Sequence, residues 1–257
     1  MAQLEIHQFP CLADNYGVLI RDPDAGLVAS IDAPDAACVR NALAQTGWRL
    51  THILTTHHHA DHTDGNLPLK SETRCTIIGP KGDSKPIPGM DKSVGEGDTF
   101  RFGTHEVRVL DTPGHTAGHI TYWIPDAEVA FAGDTLFAIG CGRVNEGTFE
   151  TMWNSLQKIA RLPAATKVYC GHEYTLANAK FALTIEPENA ALQKRAKEVE
   201  RLRGEGKPTL PTTVSLELET NPFLRARSPA IRSRLGIPDD APDWKVFAEV
   251  RERKNRS

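Results

Sequence analysis

In the stretch His57-His58-His59-Ala60-Asp61-His62, the side chains of His57, His59, Asp61 and His62 are candidate ligands for a divalent metal. Neutral imidazole and carboxylate suit borderline ions such as zinc, iron and manganese. The segment follows the apolar run Thr51–Thr55, so it lies where a strand ends and the chain turns. Alternate side chains of an extended segment share a side. That puts His57 and His59 together and sends His58 elsewhere, to solvent or packing. After the turn, Asp61 and His62 face a second point nearby. Three later positions share the setting: His115 after Val107–Leu110, Asp134 after Val129–Ala132, and His172 after Lys167–Cys170. Each follows a glycine, which lets the backbone turn sharply where a side chain must reach inward. One histidine after a strand is usually a surface residue; four such strand ends together are not. His119 is open to two readings, a group orienting a ligand or a structural histidine opening the next strand. His7, His52 and His105 read as structural or exposed.

Two cations roughly 3.5–4 Å apart lower the pKa of a shared water towards neutrality and polarise a carbonyl. Hydrolysis then requires no side-chain nucleophile. The chain has no GxSxG, and none of its five cysteines stands beside a recognisable base. The catalytic carboxylates of such a set would be Asp61 and Asp134. A thiol of pKa about 8.5 departs as thiolate without a general acid, whereas an amide nitrogen requires a proton donor. The sequence shows no such donor beyond the ligands, which favours thioesters and activated esters over peptides.

Rigid elements must present these groups. Val18–Ile20, Leu27–Ile31, Thr76–Gly79 and Ile120–Ile124 are also β-rich and bounded by turn residues. Ala36–Thr46 and Phe149–Leu162 have helical spacing. The mixture predicts a layered α/β domain with its site on loops at one sheet edge. After His172 the pattern becomes helical: Tyr174–Ile185, Asn189–Arg203 with Gly204 as its stop, and Asp243–Lys254. Between the last two, 207–211 leads into Ser215–Leu218 and Asn221–Phe223. The expected organisation is a catalytic domain over 1–173 and a helical substrate-binding domain over 174–257.

Hydrophobic and charged shares of 40% and 25% are ordinary for a globular protein. No apolar run reaches the length of about 18 residues that spans a membrane. The start, MAQLEIHQFP, lacks a basic-then-apolar signal pattern, and scattered cysteines without CxxC argue against a disulfide framework. A cytoplasmic monomer that binds neither membrane nor nucleic acid is expected. Residues 174–257 carry a net +4 and the remainder −7. That asymmetry suits capture of an anion as well as an ordinary solvated helical surface.

HisXHisXAspHis, followed by single His, Asp and His at later strand ends, resembles the metallo-β-lactamase superfamily over residues 1–173. The resemblance implies a four-layer αββα sandwich. It implies His57, His59 and His115 at one metal, Asp61, His62 and His172 at a second, and Asp134 bridging them, with zinc the expected ion and iron or manganese the alternatives. Asp14-Asn15-Tyr16, Gly133-Asp134-Thr135-Leu136-Phe137, Gly140-Cys141-Gly142-Arg143, Gly171-His172-Glu173-Tyr174-Thr175 and Thr220-Asn221-Pro222-Phe223-Leu224-Arg225 resemble glyoxalase II, the hydroxyacylglutathione hydrolase family, across nearly the whole chain. That likeness implies hydrolysis of S-(2-hydroxyacyl)glutathione, typically S-D-lactoylglutathione, to glutathione and the hydroxy acid, the second step of methylglyoxal detoxification. Arg143, Tyr174, Arg251 and Lys254 match the family's glutathione contacts; Arg251 and Lys254 are three apart and so share a helix face. Asn145 departs from the pattern, since many members carry an aromatic residue there. The rival on the same scaffold is a glutathione persulfide dioxygenase using one iron, against which the C-terminal motifs argue. A lactonase or β-lactamase needs no basic helical module, and a non-enzymatic scaffold would tolerate lost ligands.

Overall fold

Leu27–Ile31, His52–Leu54 and Thr76–Pro80 are nearly continuous apolar runs, the composition of strands covered on both faces. The computed structural model describes residues 3–257. It divides into two compact units: one runs to Asp111 and includes Thr116–Gly133, and the other joins Thr112–His115 to Asp134–Ser257.

In the first unit, β1 (Glu5–Cys11), β2 (Asn15–Asp22) and β3 (Leu27–Ile31) pair antiparallel. Helix α1 (Ala36–Thr46) then crosses over to β4 (His52–Leu54), parallel to β3. It starts where Asp35 accepts the Cys38 N–H at 3.0 Å and ends at left-handed Gly47, the usual start and stop signals. Short helices α2 (Ala60–Thr63) and α3 (Asn66–Thr73) lead to β5 (Thr76–Pro80) and β6 (Lys92–Val94), which complete a six-stranded mixed sheet. Strands β7 (Thr99–Phe102), β8 (His105–Asp111), β9 (Ile120–Ile124) and β10 (Val129–Gly133) form an antiparallel set. Tyr122 of β9 ties the two sheets: its buried hydroxyl donates to Thr55 O at 2.8 Å.

In the second unit, β11 (Leu136–Phe137) and β12 (Gly140–Cys141) make a short hairpin. Helix α4 (Phe149–Ala160) buries Met152, Trp153, Leu156 and Ile159; each such side chain contributes roughly 1.5–3 kcal/mol. Next come β13 (Lys167–Cys170), α5 (Thr175–Ile185), α6 (Ala190–Gly204), β14 (Thr212–Thr213), α7 (Val214–Thr220), α8 (Pro229–Leu235) and α9 (Asp243–Asn255). Helices α5 and α6 pack through Ala179, Ala182, Leu192, Ala196 and Val199 around Ile139. Gly204 is not the stop of α6: it is the last helical residue, and the left-handed turn falls at Gly206. The helix runs on because Glu205 N–H still finds Arg201 O at 3.1 Å. No helix among the described residues is long and apolar enough to cross a membrane.

Candidate metal centre and substrate pocket

In the first unit the ligand loop turns directly out of β4. His57 and His59 do share a side, with His57 Nε2 3.1 Å from His59 Nδ1. The His62 ring lies 4.1 Å from that of His57, and His62 Nε2 is 3.8 Å from Asp61 Oδ2. His58 does turn away, but into the interior rather than to solvent. Its Nδ1 meets Asp83 Oδ1 at 3.0 Å, with both side chains buried, and its N–H donates to Asp83 Oδ2 at 2.8 Å. His105 is likewise buried, 2.7 Å from Asp126.

The loop is oriented by Asp32, a residue outside the metal motifs. Asp32 follows β3, has a left-handed φ of 56°, and is buried. One of its oxygens accepts Thr56 N–H at 2.6 Å; the other accepts the Thr56 hydroxyl and His62 Nδ1, each at 2.9 Å. The Thr56 hydroxyl spends its single proton on Asp32, so towards His57 Nδ1, 3.0 Å away, it acts as acceptor. Both rings therefore carry hydrogen on Nδ1 and present the Nε2 lone pair. That outer-shell arrangement is typical of metal-binding histidines. Asn15 steadies Asp61, donating to its backbone oxygen at 3.0 Å and to Oδ2 at 3.2 Å. His119 is fully buried and stacks on His57 with ring centres 4.8 Å apart, which gives the ring-supporting reading its geometry. A β-carbon on Gly133 would come within 2.7 Å of His119 Nε2 and 2.6 Å of Thr56 Oγ1, so no larger residue fits there.

Asparagine tolerates the backbone of Asp32, but its amide nitrogen would face a donor. Asp32→Asn is expected to weaken metal retention roughly 10–100-fold, read as metal content after dialysis against graded chelator. Unchanged retention would reduce Asp32 to a packing role.

In the second unit, His115 Nδ1 meets Arg143 O at 3.0 Å. His115 Nε2 and His172 Nε2 approach the same Asp134 oxygen, at 3.4 and 3.3 Å. Tyr174 stacks on His172 with ring centres 4.8 Å apart and planes 3° from parallel. A pocket of about 420 Å³ opens here, lined by His115, Asp134, Arg143, Tyr174, Arg251 and Lys254 among others. Arg251 and Lys254 stand on α9 and line this pocket. Arg251 is buried, donating to Cys141 O at 2.9 Å with its guanidinium 5.2 Å from the Phe223 ring centre. Lys254 Nζ lies 3.3 Å from Ala177 O and 5.1 Å from the Phe181 ring centre. Burial, and then the like charge of Arg251, push the Lys254 ammonium below its ordinary value. Asn145 is exposed, with its backbone N–H on Gly114 O at 3.2 Å.

All seven expected ligands are imidazoles or carboxylates, a donor set that accepts divalent ions of the zinc type. Residues 23–172 match the family described as the metallo-beta-lactamase superfamily, and residues 173–257 match the C-terminus of hydroxyacylglutathione hydrolase. ETHE1 from Myxococcus xanthus is similar in structure, with a TM-score of 0.66 at 26% identity over 97% of this chain and 98% of that one. The BLEG-1 B3 metallo-beta-lactamase gives 0.64 at 20% identity over 86% of this chain and 100% of that one, a likeness of fold. Fold and donor set thus define a metallohydrolase of the metallo-β-lactamase superfamily. Hydroxyacylglutathione hydrolases of Brucella ovis and Brucella abortus are each 57% identical over 253 residues, 98% of both chains. The chain belongs to the hydroxyacylglutathione hydrolase family.

Proposed function

We propose that this chain hydrolyses S-(2-hydroxyacyl)glutathione, typically S-D-lactoylglutathione, to glutathione and the 2-hydroxy acid, the second step of methylglyoxal detoxification. The observation that carries the reading is the cationic pocket of Arg143, Arg251 and Lys254, which includes His115 and Asp134 in its wall. His57, His59 and His115 would hold one ion, Asp61, His62 and His172 a second, and Asp134 would serve both. Zinc is the proposed ion. When bound, such a pair supplies an activated water and a polarised carbonyl.

The chain's own groups do the rest. Arg251 and Lys254 suit the two glutathione carboxylates, Arg143 adds charge to the same wall, and Arg251 also shapes that wall through Cys141 O. Tyr174, stacked on His172, borders the reacting end. The departing thiol has a pKa of about 8.5 and leaves as thiolate, so no acid has to be placed beside it. We assign the enzyme to the cytoplasm, acting as a monomer.

The test is release of glutathione from S-D-lactoylglutathione by purified protein, with metal counted on the same sample. Rapid release with two metals per chain supports the reading. Two metals without turnover would move the substrate elsewhere, with Asn145 as the first suspect. One iron with oxygen uptake on glutathione persulfide would hand the site to a dioxygenase.

A further inference from the structure

The hairpin β11–β12 turns through Ile139, which is fully buried at a left-handed φ of 57°. That conformation is a genuine outlier for a β-branched residue and persists only where the surroundings over-determine it. Three side chains do so, from α5, from α7 and from Asn221, the extended residue that follows α7. Ile139 N–H donates to Glu217 Oε2 at 2.9 Å, and Ala138 O accepts from Asn178 Nδ2 at 3.1 Å. Gly140 O accepts from Asn221 Nδ2 at 2.9 Å. Asn178 comes so close that a β-carbon on Gly140 would lie 2.3 Å from its Nδ2.

Glu217 is the hub. It is completely buried, and Asn221 Nδ2 also donates to its Oε2 at 2.8 Å. Its Oε1 accepts Arg195 Nη2 and the Thr212 hydroxyl, each at 2.6 Å. Four donors on two oxygens leave no place for a donor in the carboxylate's position. The hairpin so held carries two walls of the pocket: Phe137, edge-on to Tyr174 with ring centres 5.2 Å apart, and Cys141, whose carbonyl receives Arg251.

We propose that Glu217 is a positioning residue for the substrate pocket, holding the strained Ile139 turn so that Phe137 and the Cys141 carbonyl meet Tyr174 and Arg251. It touches no substrate and acts through the hairpin. The kinetic part of this inference rests on the thioester reading; the structural part does not.

Glu217→Gln replaces two acceptors by one oxygen and one amide nitrogen. The guanidinium of Arg195 claims the oxygen, leaving the nitrogen facing Ile139 N–H and Asn221. Expected are faster amide hydrogen exchange over residues 136–141 with α6 and α7 unchanged, and unaltered metal content. The KM for S-D-lactoylglutathione and the Kd for glutathione should each rise about tenfold, the scale of one lost buried hydrogen bond, with kcat within about threefold. Combining it with Arg195→Met lets the glutamine oxygen return to Ile139 N–H. That double variant is expected to recover both the exchange protection and KM, which a general structural role would not allow. Should the single glutamine variant not fold, Glu217→Asp, which keeps its charge on Arg195 but shortens the reach to Ile139, is expected to show the same loosening, and the double variant to be tighter. Unchanged exchange over 136–141 in the single variant, or a double no better than the single, would overturn the proposal. A wild-type protein inert towards the thioester would sink the assigned reaction, while hydrogen exchange would still decide the role of Glu217.

Discussion

Asp134→Asn is expected to lower kcat for thioester hydrolysis by several orders of magnitude while KM stays within about threefold. One oxygen of Asp134 lies 3.4 Å from His115 Nε2 and 3.3 Å from His172 Nε2, one histidine from each proposed ion site. The carboxylate is therefore a negative group addressed to both proposed sites. Asparagine keeps its size but removes the charge, and its amide nitrogen turns N–H groups towards ring nitrogens that must stay acceptors for a metal. Metal content should fall in parallel, below two per chain. Steady-state kinetics and metal analysis on one sample would check this. Activity like that of wild type would remove Asp134 from the shared position.

The second large effect lies on binding. Arg251→Ala combined with Lys254→Ala is expected to raise KM roughly a hundredfold, from two lost charge-assisted contacts, with a much smaller change in kcat. Groups that hold a remote carboxylate bind ground state and transition state alike. Lys254→Ala alone separates charge from packing, because Arg251 also braces Cys141 O and Phe223. Lys254 adds a pH signature. Its ammonium is pushed down by burial and by Arg251, so it loses its proton at lower pH than an ordinary lysine. KM should accordingly climb on the alkaline side, and Arg251→Ala should move that rise to higher pH. A KM unchanged in the double variant would place the glutathione carboxylates elsewhere.

The loop was legible because its proposed metal ligands are neighbours in sequence and alternation alone sorts His57 and His59 from His58. The strands β3, β9 and β13 and helix α1 were legible to the residue, since apolar runs and caps mark them locally. Strand β1 was missed: Glu-Ile-His-Gln-Phe-Pro-Cys breaks the apolar pattern, which an edge strand tolerates. The groups that orient the loop could not be read from composition. Asp32 stands 24 residues from Thr56, and Asp83 stands 25 from His58, so each partnership exists only once the sheet has formed. One signal for Asp32 was available: it follows an apolar strand, as the ligands do. For Glu217, 78 residues from Ile139, no such signal existed, because a glutamate in Val214–Thr220 looks like any exposed helix residue.

The carboxylate of Asp32 serves His62 directly and His57 through the Thr56 hydroxyl, and these two histidines belong to different proposed ions. Occupation of one position therefore restrains the group that orients the other. Metal uptake is then expected to be cooperative: the first ion would lower the ordering cost of the second, and by reciprocity the coupling would be the same in either order of loading. A titration of metal-free protein should be steeper than two independent sites allow. Asp32→Asn should flatten it towards independence, beyond simply weakening both steps.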